Sequence, residues 1–202
     1  MEENIKPKKV KPAGVSHMVR LFVGLELPPP VVAQLGKLPE PIIGVKWCPA
    51  EQFHLTLYFL GEVRRENLSK IKGTLAQVAA RPFTLNLTSV GCFPPKGTPK
   101  VLWSGVSTGA VEVLDLQDKV EDALKRVGVR EDQRNYHPHV TLGRNKSASR
   151  RTIQGWVMEC QSFRSSPFDV TQFILFSSEM TTAKGMVYKK EAKYRLSASL
   201  RP

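Results

Sequence analysis

Two His-x-Thr tripeptides, His54-Leu55-Thr56 and His139-Val140-Thr141, stand 85 residues apart, and each is followed by a leucine. With only 4 His in 202 residues, chance supplies about 0.2 such tripeptides. Two in matching contexts therefore point to a duplicated half-site. Imidazoles titrate near 6.5, so a pair can hold opposite protonation states at neutral pH, one accepting a proton while the other donates. In-line displacement at phosphorus needs that arrangement: a base activates the nucleophile and an acid protonates the departing oxygen, each role contributing about 10²–10⁴-fold. Threonine hydroxyls two residues away can hydrogen-bond the non-bridging oxygens. The scheme requires no metal or other cofactor. A lone strand histidine is more often a structural hydrogen-bonding residue, but here that accident would have to occur twice.

Side chains two apart on a strand project to the same side. Strict alternation places His54, Thr56 and Tyr58 on one face and Phe53, Leu55, Leu57 and Phe59 on the core face. Likewise it sets His139 and Thr141 opposite Val140 and Leu142. Arg144 is the candidate cation for a phosphate. Its parity points it away from His139, so that role requires Gly143 to bend the chain; otherwise it is a surface arginine. Tyr58 and Trp47 are candidates for stacking on a base, Trp47 being equally readable as packing. His137 lacks a threonine two residues on and reads as a bystander or a substrate contact.

The elements that must position these groups follow from periodicity. Strands are expected at 19–26, around 46–48, at 53–60 closed by Gly61, at 83–92, 100–107, 139–143, 168–178 and 187–197. Leu68, Ile71, Leu75 and Val78 mark a helix over 64–79, and Val113, Leu116, Val120 and Leu124 another over 111–127. Pro28 to Pro30 can open a helix near 31–37, and a further helix is expected at 150–160. Helices among hairpins indicate an α+β fold with antiparallel sheets.

The charge of +12 favours a polyanionic partner, with a solvated basic surface as the alternative. Residues 1–17 lack periodicity and carry four lysines. They read as a basic arm or, given Ser16-His17-Met18, as an expression leader ahead of a start at Met18, and the leader is preferred. The body over 18–202 keeps a charge of +10. Three dispersed cysteines, Cys48, Cys92 and Cys160, suggest reduced thiols in the cytoplasm, without a disulfide framework or zinc site. No apolar run spans a bilayer, and no glycine-rich loop of the dinucleotide or P-loop type is present.

Trp47-Cys48-Pro49, then His54-Leu-Thr-Leu-Tyr-Phe-Leu-Gly61, and later His137-Pro-His-Val-Thr-Leu-Gly-Arg144 resemble the signatures of the 2H phosphoesterase superfamily. Within it they look most like the RNA 2′,3′-cyclic phosphodiesterases, also called 2′-5′ RNA ligases. Arg20 to Pro28 resembles their first strand. The resemblance implies a bilobal α+β fold with pseudo-twofold symmetry, two antiparallel sheets forming a V-shaped cleft, and helices packed outside. It implies that His54 gives a proton to the 3′ oxygen, that His139 activates water, and that Thr56, Thr141 and Arg144 hold the phosphate. The implied partner is RNA ending in a 2′,3′-cyclic phosphate, acted on by a monomer without a membrane; ligation is the same chemistry reversed. Gly143 stands where the family often has alanine. Hydrolysis of another cyclic-phosphate nucleotide and non-catalytic RNA binding stay open as alternatives.

Overall fold

The computed structural model describes residues 17–38, 42–130, 135–181 and 185–197. The expected leader therefore lies outside the described residues except for His17. In chain order the elements are β1 (Met18–Glu26), α1 (Pro29–Leu35), β2 (Val45–Trp47), β3 (His54–Arg64), α2 (Leu68–Leu75), β4 (Phe83–Leu85), β5 (Leu87–Phe93), β6 (Val101–Val106), α3 (Ala110–Lys125), β7 (His139–Asn145), α4 (Arg150–Glu159), β8 (Phe168–Val170), β9 (Gln172–Thr181) and β10 (Gly185–Arg195). All strand pairings are antiparallel.

Eight strands form one sheet in the order β10-β9-β1-β3-β7-β6-β5, with β2 also paired to β7. The sheet is two halves joined at a seam. β3 meets β7 through a single residue pair, Leu55 with Val140, and β2 takes over that edge of β7 from Gly143 to Asn145. The β3–β7 contact is thus the narrowest join in the sheet.

Apolar strand residues and helix stripes close the opposite face. Leu21, Val23 and Leu25 of β1 and Leu55 and Leu57 of β3 join Ile71, Leu75, Val113, Leu116, Val120 and Leu124 of α2 and α3 in one buried core. Each such side chain contributes about 1.5–3 kcal/mol on burial. α1 opens on Pro29 and Pro30, whose missing N–H groups would have no helical partner there. α3 is capped by Gly109 at φ +84°, a backbone state that tolerates no other residue cheaply, and a β-carbon there would press on Leu85.

Four expected boundaries are corrected. The stretch 83–92 is two strands broken at Asn86, whose side-chain carbonyl accepts from the Ser107 hydroxyl (2.7 Å) and the Thr108 amide (3.0 Å). The stretch 168–178 likewise breaks at Thr171, and the freed pieces β4 and β8 pair as a separate two-stranded sheet. β3 runs through Gly61 to Arg64, because Gly61 at φ +71° absorbs a bulge at Leu60 and pairing to β1 continues. α2 begins at Leu68 after a 3-10 turn over Arg65–Asn67. Among the described residues no helix is long and apolar enough to cross a membrane.

Candidate active site

The seam places the two motifs face to face. With Leu55 opposite Val140 in an antiparallel pair, His54 lies across from Thr141 and Thr56 across from His139. The Leu55 and Val140 side chains are fully buried, which fixes the opposite face for the two histidines and two threonines.

Both imidazoles are held by the same local device. His54 Nδ1–H donates to the Gln52 carbonyl and His139 Nδ1–H to the His137 carbonyl, each at 2.7 Å and each two residues upstream. A carbonyl only accepts, so the ring proton sits on Nδ1 and Nε2 is left for chemistry. Gln52 is itself anchored, its side-chain amide donating to the Met186 carbonyl at 2.7 Å. The Tyr136 hydroxyl donates to the Thr56 carbonyl at 2.8 Å, tying β3 to the segment that leads into β7.

Aromatic rings wall each histidine. His54 lies 4.7 Å from Phe22 and 5.2 Å from Tyr188 between ring centroids. His139 lies 5.2 Å from Phe93 and 6.4 Å from Trp103. Gly24 permits the close approach on the first side, since a β-carbon there would stand 2.8 Å from the Leu55 carbonyl oxygen and 3.6 Å from the His54 ring. These walls depress both imidazoles. Burial takes His54 from 6.5 down to about 4, against the opposing pull of the Gln52 carbonyl, with His139 and Arg144 adding repulsion. His139 is lowered too, first by burial and then by His137 and Arg144.

Strict alternation fails beyond each threonine, and in the same way twice. The β1–β3 register steps from Gly24–Thr56 to Val23–Tyr58, leaving Leu57 as an unpaired bulge. The β6–β7 register steps from Trp103–Thr141 to Leu102–Gly143, leaving Leu142 as its counterpart. A bulge reverses the facing of the residues beyond it. Tyr58 is consequently 3% exposed in the core, its hydroxyl donating to the Arg130 carbonyl, so the expected stacking role is corrected. Phe59, expected in the core, is 46% exposed on the histidine side. Gly143 turns inward, and Arg144 returns to the face of His139, where its charge is felt by both histidines. The bend that the role of Arg144 required thus comes from the Leu142 bulge.

Trp47 follows its packing reading. Its ring packs 5.0 Å from Trp156 of α4 and lies over Gly143, where a β-carbon would come within 3.2 Å of Trp47 and 2.8 Å of Val45. His137 contributes its carbonyl to His139 and its exposed ring to the Phe93 and Trp103 wall. Sequence reasoning missed Phe22, Tyr188, Phe93, Trp103, Gln52 and Tyr136. The signal for Trp103 was present as Gly91 and Gly105, glycines inside strands, which mark a close approach. Among the described residues no group of three or more His, Cys, Asp or Glu is gathered to hold a metal ion. A groove of about 590 Å³ lined by Arg81, Thr84, Glu112 and Lys119 lies elsewhere and contains none of these groups.

A duplicated strand motif brings two imidazoles, two hydroxyls and a guanidinium to one seam, an arrangement of groups able to bind an anion and to exchange protons with it. The chain belongs to the 2′-5′ RNA ligase superfamily, whose family model matches residues 28–180. It is 34% identical over 174 residues to the RNA 2′,3′-cyclic phosphodiesterase of Archaeoglobus fulgidus, covering 85% of this chain and 97% of that protein. The crystal structure of TT0787 of Thermus thermophilus superposes with a TM-score of 0.74 at 29% identity, covering 88% and 97% of the two chains. Escherichia coli LigT in apo form shares the fold, with a TM-score of 0.73 at 24% identity over 90% and 99%.

Proposed function

We propose that this protein hydrolyses the 2′,3′-cyclic phosphate end of RNA to a 2′-phosphomonoester, without a metal, through His54 as proton donor and His139 as proton acceptor. The observation that carries the reading is the seam: two imidazoles on adjacent strands are identically tethered through Nδ1, which leaves Nε2 of each for chemistry. His139 draws a proton from water as it attacks phosphorus, and its lowered pKa keeps it free to accept near neutrality. The bond to the 3′ oxygen breaks, and His54 supplies the proton that this oxygen takes. Free His54 is neutral at pH 7. The phosphate it binds raises its pKa, so the acid is charged by the substrate. Thr56, Thr141 and Arg144 hold the non-bridging oxygens. Run backwards, with an RNA 5′-hydroxyl in place of water, the same groups would join 2′-5′ ends.

The relatives' activity and the chain's charge of +12 support an RNA substrate. Residues 18–202 act as one two-lobed monomeric unit, since both half-sites come from one chain. The free thiols of Cys48, Cys92 and Cys160 favour the cytoplasm.

The test is incubation of an oligonucleotide bearing a 2′,3′-cyclic phosphate with the protein in EDTA, followed by analysis of the ends. A 2′-phosphate product is expected. No turnover would refute the reading, turnover of cyclic mononucleotides but not oligonucleotides would exclude RNA as the substrate, and RNA binding that survives loss of both histidines without product would mark a binding module.

A further inference from the structure

Local electrostatics are unfavourable where β2, β7 and the start of α4 come together. Lys46 stands directly opposite Arg144, and like charges opposed across a strand pair destabilise it. α4 begins with Arg150 and Arg151 and has no acidic residue in its first turn, although the positive end of a helix disfavours cations. The segments that meet there, 42–50, 93–101 and 135–158, add Lys96, Lys100 and Lys146, so they hold seven Lys and Arg and no Asp or Glu. Among the described residues none of the seven makes an ion pair. In the other half acids answer cations, Lys190 being paired with Glu26 and Lys72 with Glu191. Breaches of local rules of this kind are expected where a site needs them.

Hydrogen bonds set these cations on a fixed frame. The Asn145 side-chain amide donates to the carbonyls of Pro99 (2.8 Å) and Ala148 (3.1 Å), and its oxygen accepts from the Ala148 amide at 2.8 Å. The Asn145 backbone N–H donates to the Lys100 carbonyl at 2.9 Å and the Lys146 N–H to the Gly44 carbonyl at 2.7 Å. Arg150 ties down the β5–β6 loop by donating to the carbonyls of Pro95 and Gly97. Lys46, Lys100 and Lys146 are left exposed on this frame. It adjoins the catalytic seam at Arg144, whose charge reaches both histidines.

We infer that this acid-free platform holds the sugar–phosphate backbone of the RNA that leads to the cyclic end, with Lys46, Lys100 and Lys146 contacting its phosphates. The inference rests on the reading of the cleft as a cyclic-phosphate site. A strand whose terminal phosphate lies at Arg144 brings further phosphates with it, and they supply the negative charge that the chain itself withholds from this platform. Backbone contacts position a strand without reading its bases, so the platform serves any sequence. Each phosphate neutralised on a single strand releases counterions and adds about 0.7 to the slope of log affinity against log salt.

The experiment measures affinity for inorganic phosphate and for 2′-phosphate-ended oligouridylates and oligoadenylates, as dinucleotides and octanucleotides, over about 0.1 to 1 M salt. The proteins are the wild type, the triple variant Lys46→Gln/Lys100→Gln/Lys146→Gln, its counterpart with arginine at the same three positions, and the control Lys37→Gln/Lys70→Gln/Arg126→Gln. The control removes three exposed cations outside the platform. For the octanucleotide the glutamine triple should lower the salt slope by about 2, a loss of about 100-fold at 0.1 M relative to 1 M. The loss should be equal for both sequences and absent from the arginine and control triples, and the octanucleotide should lose its advantage over the dinucleotide. An unchanged slope in the glutamine triple, an equal fall in the control, or a loss for phosphate as large as for the octanucleotide would overturn the platform and leave the cleft reading standing. A wild type that binds the octanucleotide no more tightly than the dinucleotide would overturn it as well. A wild type that binds neither phosphate nor any of the oligonucleotides would overturn the cleft reading itself.

Discussion

Filling the cleft with a non-titrating dianion should make the protein take up a proton. His54 has a pKa of about 4 when free, so at pH 6 about 1% of it is protonated. One negative charge at contact, about 4 Å away in a partly buried site, contributes about 4 kcal/mol at an effective dielectric constant near 20. At 1.36 kcal/mol per tenfold change, this lifts His54 to about 7. Its protonated fraction at pH 6 then becomes about 0.9, and His139, also depressed, adds to the total. Sulfate suits the test because it does not itself titrate at pH 6. Calorimetric titration in two buffers of different ionisation enthalpy gives the proton count directly. The wild type should bind about 0.9 proton or more per sulfate, and His54→Asn should bind about 0.9 fewer. Sulfate binding without proton uptake, or uptake unchanged in His54→Asn, would refute the electrostatic account of how the acid is charged.

Three further outcomes are expected from the same contacts. His54 has a lower pKa folded (about 4) than unfolded (6.5), so the unfolded chain binds more protons between those values. Its contribution, about 3 kcal/mol, is fully present above pH 6.5 and lost as pH falls to 4, and denaturant titrations of His54→Asn should show a flatter profile across that window. Gly143→Ala should destabilise the protein by about 1–3 kcal/mol in chemical denaturation, since Val45 and Trp47 must move to admit a methyl group; unchanged stability would mean that β2 shifts freely. Arg144→Ala should weaken phosphate binding and raise the pKa of both histidines, whereas Arg144→Lys should restore the charge without the bidentate grip; NMR titration of the imidazoles would read the pKa change.

What could be read from the sequence divides along locality. Helix stripes such as Val113, Leu116, Val120 and Leu124 depend only on their own spacing, and all four are fully buried. The α+β class and the facing of the two His-x-Thr triplets depend on neighbouring residues in the same way. The facing of Tyr58, Phe59 and Arg144 does not, because bulges at Leu57 and Leu142 are properties of the register with β1 and β6. The breaks at Asn86 and Thr171 arise from partners elsewhere in the chain, as with the Asn86 bonds to Ser107 and Thr108. Trp47 shows the same limit, since it packs on Trp156, a contact invisible in its own strand.

The separate assignment of acid and base can be tested with a cyclic substrate whose 3′ bridging oxygen is replaced by sulfur. A thiolate leaves without needing a proton, its conjugate acid having a pKa of about 8.5. On the oxygen substrate, His54→Ala and His139→Ala should each lower kcat by about 10²–10⁴-fold. On the sulfur substrate, His54→Ala should return close to the wild-type rate while His139→Ala stays slow. Rescue of His139→Ala instead, or full activity of either variant on the oxygen substrate, would contradict the account.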